Sequence, residues 1–306
     1  MRSVALQRPS VGILIAALLL ALAFQHVTVA AVDARTDDGA KPTIFLHGYN
    51  GGNCEADWGF LIDNMRAGGW TGGFYVPRYQ STDSACNARP GLAMGCMSCF
   101  GAHDYWFGHS GTAHSNNTSI RHLAWHLANY IYANWSSKGI AVDVVAHSMG
   151  GLIIRYALSK QGVDSFPRLR VEDVITLGSP HNGAHFAALT GTTEGAEMEP
   201  TSSLISWLKT WGMNPQGTGG TDWTNLGSHG DLIVQEDSAT SMSALHRWRY
   251  TTSPNWIMHT DYMKSSAPNS TRRAQYPCST APGAWCERST YYPVEMIRAA
   301  TFYGSS

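Results

Sequence analysis

Charge is what this sequence has least of. Only 14% of its 306 residues are Asp, Glu, Lys or Arg, and 21 basic side chains nearly cancel 22 acidic ones. No run of like charge occurs, and a nucleic-acid binder needs a basic stripe to follow phosphates, so that class is not expected. No apolar run reaches the ~20 residues that a helix needs to cross a bilayer. Internal repeats and low-complexity linkers are missing too, which points to one domain rather than an array. Cys96-x-x-Cys99 has no second CxxC partner and no surrounding βαβ unit, so a structural bridge is expected there rather than a redox pair or half a zinc site.

What is present points to a folded, loop-rich protein. Hydrophobic residues make up 43% of the chain, with 31 Gly, 11 Trp and 13 Tyr, enough for a sizeable core and unlike a disordered or fibrous chain. Arg2 and Arg8 precede the apolar stretch Val11 to Phe24, and Thr28, Val29 and Ala30 follow it. Residues 1–30 therefore read as a cleaved secretory signal peptide, and 31–306 as a single catalytic domain. Its removal leaves 19 basic against 22 acidic residues, a net of −3. Six cysteines suit an oxidising compartment. Cys278 and Cys286 share one Pro-containing loop and are expected to pair; the other pairings stay open. Asn116, Asn117, Asn134 and Asn269 sit in glycosylation sequons, used only where the host has that machinery.

Along the mature chain, Pro42 to Leu46 is a short β-rich run ending in His47-Gly48. Residues 80–118 form a polar insertion without clear period. Ile120, Leu123, Ala124, Leu127 and Ile131 recur at helical spacing. Val142, Val144 and Val145 predict a strand, Leu152 to Leu158 a helix, and Val174 to Leu177 another strand. Strands alternating with helices predict a mainly parallel sheet flanked by helices on both faces.

The most informative segment is Val142-Asp143-Val144-Val145-Ala146-His147-Ser148-Met149-Gly150-Gly151-Leu152. It reads as a strand, a serine between small residues, then a helix. Such a turn forces strained backbone angles on the serine and lifts its hydroxyl above the sheet edge. Ala146 and Gly150 are small because the turn brings their backbones together. The helix N-terminus beside Ser148 favours developing negative charge. Gly108-His109-Ser110-Gly111 lacks both a leading strand and the second small residue, and reads as loop.

Ala146-His147-Ser148-Met149-Gly150 resembles the alanine-variant nucleophile elbow of secreted α/β-hydrolase lipases and esterases. Three further segments resemble that family in order: Thr43 to Tyr49 its first oxyanion loop, Leu177 to Gly183 the segment after the strand that follows the elbow, and Trp223 to Val234 the strand and loop bearing the acid. The resemblance implies the α/β-hydrolase fold, with loop insertions, and a Ser-acid-His order along the chain. Asp231 then fits the acid, and His259, in the loop after a strand expected at Trp256-Ile257-Met258 and before the helical stretch Val294 to Phe302, fits the base. Asp237, Asp222 and Asp261 are rival acids. His246 is the rival base, in a segment (Ala244 to Trp248) that reads as helix. His181 precedes the acid and reads as structural or pocket wall; His147 reads as support for the turn. One oxyanion donor is the Met149 N–H, directly after the nucleophile. The resemblance puts the other at the Tyr49 N–H.

The chemistry implied is hydrolysis of carboxylic esters through an acyl-enzyme, by a secreted triacylglycerol lipase or esterase that needs no cofactor. The alternatives are an extracellular polyester depolymerase of the polyhydroxyalkanoate type and a catalytically inactive hydrolase fold used for binding. Partners expected are the ester substrate and a transient lipid interface, with the chain acting as a monomer. Leu204, Ile205, Trp207, Leu208, Trp211 and Met213 form an apolar stripe within 185–220, either a mobile lid or a core helix. His103, His109, His114 and Asp104 match no defensible metal spacing and read as a solvated loop, so no metal is expected.

Overall fold

The valine run that leads into Ser148 forms the central strand of a mainly parallel sheet. The structure, a computed structural model, describes residues 38–97, 114–211, 220–251, 256–278 and 283–303. They lie in one compact unit, Arg35–Ser306; the expected signal peptide falls outside them. The strands are β1 (Thr43–Leu46), β2 (Phe74–Tyr75), β3 (Leu92–Ala93), β4 (Val142–His147), β5 (Val171–Leu177), β6 (Asp222–Ser228), β7 (His246–Tyr250), β8 (Arg272–Pro277) and β9 (Trp285–Thr290). The helices used below are α1 (Phe60–Ala67), α2 (Ile120–Asn134), α3 (Met149–Ser159), α4 (Thr193–Met198), α5 (Ser203–Trp211), α6 (Glu236–Ala239) and α7 (Pro293–Tyr303).

One sheet runs in the order β3-β2-β1-β4-β5-β6-β7-β8-β9. Pairing is parallel from β3 to β7, and β8 and β9 add an antiparallel edge. The Cys278–Cys286 disulfide closes that edge hairpin, and Cys54–Cys86 ties the start of the α1 region to the segment leading to β3. Cys96 is also disulfide-bonded. Among the described residues, no helix is long and apolar enough to cross a membrane.

All six residues of β4 are buried, as a parallel strand covered on both faces requires. Side chains alternate between two cores with the strand period of two. Ile44, Leu46, Val144 and Ala146 pack with residues of α2, α3 and α5. Phe45, Val145, Ile175 and Leu177 pack on the opposite face with residues of α1 and α7. This is the α/β-hydrolase fold: a mainly parallel sheet, helices on both faces, and the loops after β1, β4, β6 and β7 at one edge.

Two segments differ from the sequence expectation. Ala244 to Trp248 is not helical: His246–Tyr250 is strand β7, paired in parallel with β6. The signal is the alternation of Trp248 and Tyr250, buried, with Arg247 and Arg249, half-buried. The Arg249 guanidinium lies over the Trp285 ring at 3.6 Å, which is how an arginine is accommodated in a strand near the sheet edge. Trp256-Ile257-Met258 is not a strand; Ile257 is buried, while Trp256 and Met258 are exposed beside the site.

The described part of the apolar stripe forms α5, with Leu204, Ile205 and Leu208 fully buried, and Met213 lies outside the described residues. Buried Arg155 of α3 reaches from the elbow helix to donate to the carbonyls of Leu208 and His181, each at 2.9 Å. Leu208→Ala is expected to lower the unfolding free energy by about 2–5 kcal/mol in urea denaturation; a side chain on a mobile lid would leave the midpoint unchanged.

Candidate active site

The chain turns from β4 into α3 at Ser148, whose backbone sits at φ 54° and ψ −125°. A non-glycine residue there costs about 1–3 kcal/mol and persists only where its surroundings enforce it. The Ser148 N–H donates to the Leu177 carbonyl at 2.9 Å, tying the turn to β5. A Cβ at Gly150 would lie 2.6 Å from the carbonyl oxygens of Leu46 and His47, so only glycine lets the loop after β1 cross the helix start. Met149 is the first residue of α3, and its N–H is among the four that the helix cannot satisfy.

His259 Nε2 stands 2.9 Å from Ser148 Oγ, and His259 Nδ1 stands 2.8 Å from Asp231 Oδ2. A carboxylate only accepts, so Nδ1 carries the proton and Nε2 offers its lone pair to the serine hydroxyl. The Ile233 and Val234 N–H groups donate to Asp231 Oδ1, each at 2.9 Å, and the Tyr262 hydroxyl donates to Oδ2 at 3.2 Å. Burial and the adjacent Asp231 charge push the Tyr262 hydroxyl well above the ordinary tyrosine range, so it stays a donor. Gly178, at φ +54°, lets the β5 end pass this group; a Cβ there would meet Asp231 Oδ2 at 2.7 Å.

The rivals are occupied elsewhere. Asp222 and His246 open β6 and β7, and stand 3.6 Å apart at the opposite end of those strands from Asp231 and His259. Asp237 is exposed and pairs with Arg249 at 2.7 Å. Asp261 accepts the Met258 N–H at 3.0 Å and so shapes the turn that carries His259. His181 lies buried behind β5, where its Nε2 is 3.0 Å from Thr176 Oγ1. Because the Thr176 hydroxyl is given to Asn225, the imidazole is the donor in that contact. His147 supports more than its own turn: its Nε2–H donates to the His259 carbonyl at 2.7 Å.

The loop after β1 lies against the serine. A Cβ on Gly48 would stand 2.8 Å from Ser148 Cβ. His47 Nδ1 donates to the Gly48 carbonyl at 2.8 Å, and Nε2 meets the Asp83 carboxylate, with Oδ1 at 2.9 Å. The His47 ring is stacked on Tyr79, whose hydroxyl donates to the His47 carbonyl. In a trans peptide C=O and N–H point oppositely, so holding the Gly48 carbonyl toward His47 turns the Tyr49 N–H away from it. Asp83 also accepts the N–H groups of Gly52, Tyr79 and Gln80. Burial alone would raise the Asp83 carboxyl, but these donors and His47 hold it below the ordinary range.

All five residues proposed from sequence thus come to one sheet edge, with hydrogen bonds joining Ser148, His259 and Asp231. Tyr262 and Asp83 were missed. Tyr262 lies 31 residues from Asp231 and Asp83 lies 36 from His47, and no motif marks either. Of the histidine-rich cluster in the insertion, His103, Asp104 and His109 lie outside the described residues. His114 is buried and meets His122 and His126, three residues that could hold a metal ion.

A family model described as a domain of unknown function (DUF7379) matches residues 105–221. No curated protein matches the chain in sequence. The solved phospholipase PlaB from Legionella pneumophila is 16% identical with a TM-score of 0.43, over 61% of this chain and 38% of that one. The chain therefore spans well under half of that phospholipase. The mature Bacillus licheniformis lipase BlEst2 is 16% identical with a TM-score of 0.44, over 76% of this chain and 89% of that one. Aspergillus fumigatus lipase B is 16% identical with a TM-score of 0.41, over 67% of this chain and 42% of that one.

Burial, then the nearby His259, lower the His147 pKa from 6.5 to about 3. The folded state therefore binds fewer protons than the unfolded one between those values, and His147 withdraws stability as pH falls below 6.5, by up to about 1.4 kcal/mol per pH unit. Ring NMR of His147 should show no titration from about pH 5 to pH 8, the range where an unperturbed histidine changes charge; a midpoint within it would contradict the buried neutral ring.

Proposed function

We propose that this chain is an exported serine hydrolase of carboxylic esters. The observation that carries the reading is the His259 ring spanning Ser148 Oγ at 2.9 Å and Asp231 Oδ2 at 2.8 Å. In this reading Ser148 Oγ attacks the ester carbonyl carbon while its proton passes to His259 Nε2. Asp231 keeps Nδ1 protonated and stabilises the imidazolium that forms. The oxyanion is received by the Met149 and Tyr49 N–H groups. His259 then protonates the departing alcohol. Water, deprotonated by the same imidazole, attacks the acyl-Ser148 ester and releases the acid and the free serine. No cofactor takes part in this sequence. Export is supported by the Cys54–Cys86 and Cys278–Cys286 bridges, which persist in an oxidising compartment.

An apolar rim favours a water-insoluble ester over a small soluble one. Leu232 and Ile233 follow Asp231, and Trp256 and Met258 precede His259; their exposures are 78%, 42%, 59% and 53%. Gly230 packs beside Trp256, where a Cβ would meet Trp256 Cβ at 3.1 Å, so the two loops bearing these residues are neighbours. Four exposed apolar side chains beside one site form a surface fit for acyl chains or a lipid interface. A triacylglycerol lipase is the reading this rim supports.

Ser148→Ala is expected to reduce ester hydrolysis to trace levels, and Asp231→Asn to reduce kcat by about 10⁴-fold, with the far-UV spectrum of each near wild type. Ser148→Ala hydrolysing at the wild-type rate would end the proposal. Activity on emulsified long-chain triglyceride should exceed that on short soluble esters and fall in Trp256→Ser/Leu232→Ser. Clearing of polyester films without action on emulsions would move the substrate class to polymers.

A further inference from the structure

Three histidines from two stretches of chain converge on the helix that precedes the elbow strand. His122 and His126 lie one turn apart on α2, and His114 comes from the segment leading into it. All are buried, with exposures of 2% for His114, 1% for His122 and 0% for His126. One ring nitrogen of each lies within 4.8 Å of the other two, and His122 Nε2 and His126 Nε2 are 3.0 Å apart. The backbone on both sides is fixed. The His114 carbonyl accepts the Ser81 N–H at 2.9 Å, in a parallel bridge between Gln80 and His114. On the other side, Ser119 caps α2 and Glu197 binds the Ile120 N–H.

We propose that His114, His122 and His126 bind one divalent late transition-metal ion, with Zn²⁺ the first choice. Zinc held by imidazole has Zn–N near ~2.0–2.1 Å, which places two ligand nitrogens about 3.3 Å apart around a tetrahedral ion. The His122–His126 pair is close to that already, and ring rotation on fixed backbone brings in the third. Spacing of i and i+4 puts two imidazoles on one helix face, as a shared ion needs. An all-imidazole set selects zinc, copper or nickel over calcium and magnesium, which take oxygen. Three protein ligands leave a fourth position for a water or one further donor.

The ion would clamp the end of the insertion to α2. That clamp lies one bridge away from the Gln80–Asp83 turn, and Asp83 holds the His47 ring beside Gly48. The metal therefore braces the loop that faces Ser148 rather than joining the chemistry there. Its occupancy is independent of whether the chain hydrolyses esters.

The test uses the chain made without a histidine tag, dialysed against a chelator and titrated with Co²⁺. The expected result is visible absorption of tetrahedral Co²⁺ saturating at one equivalent, displaced by Zn²⁺, together with a Zn²⁺-dependent rise in the melting temperature. His122→Gln and His126→Gln should each lose the absorption, while the exposed His185→Gln keeps it. Absence of bands and of a melting shift in the unmutated chain overturns the proposal, and that measurement stands even where a histidine variant fails to fold. Binding by the His122 and His126 variants at wild-type strength overturns it equally.

Discussion

The strained backbone at Ser148 is the constraint on which the rest of the site depends. Its φ of 54° lies where only glycine rests without cost, so the turn must be enforced from outside. Enforcement comes from both sides. β4 is gripped by parallel partners on each edge, and every residue of α3 is buried. Relaxing the serine would shift a helix start already packed on the sheet. The kink also explains Gly150, the one residue over which the carbonyls of Leu46 and His47 can pass.

Given that turn, the imidazole is the next part to be fixed, and it is held at several points. Asp231 holds Nδ1, His147 holds the His259 carbonyl, and Asp261 shapes the turn just before it. Asp231 is itself directed by two backbone N–H groups and the Tyr262 hydroxyl. Hydrogen bonds to a charged group contribute about 1.5–3 kcal/mol each, so this carboxylate has little freedom to rotate away. The Ser148 residue is 7% exposed and the His259 side chain 13%, and charge-assisted contacts gain strength where water is scarce.

Much of this was legible before any coordinates. Hydrophobic period and β-branching marked β1, β4, β5 and α2, because these elements are buried enough for their pattern to be set by packing. The elbow was legible because backbone crowding restricts residue types at fixed offsets from the serine. Strand β7 was not, since its arginines are sustained by Trp285, which lies far along the chain and turns a polar stretch into a packed one. Trp256-Ile257-Met258 misled in the opposite sense: its outer residues are apolar because they edge the site, not because they enter a sheet. The two-residue strands β2 and β3 leave no period to read. Tyr262, Asp83 and the meeting of His114 with His122 and His126 depend on tertiary proximity, although His122-x-x-x-His126 carries a helical spacing that could have pointed to the last.

In the proposed mechanism, the turn at position 148 presents a nucleophile to an imidazole on one side and to backbone amides on the other. The most direct measurement is a crystal structure of the chain after reaction with an alkyl phosphonate ester, which mimics the tetrahedral intermediate. The expected result is phosphorus bonded to Ser148 Oγ, with the phosphoryl oxygen within hydrogen-bond distance of the Met149 and Tyr49 nitrogens. Phosphorus on another residue, or a phosphoryl oxygen facing away from both amides, would contradict it.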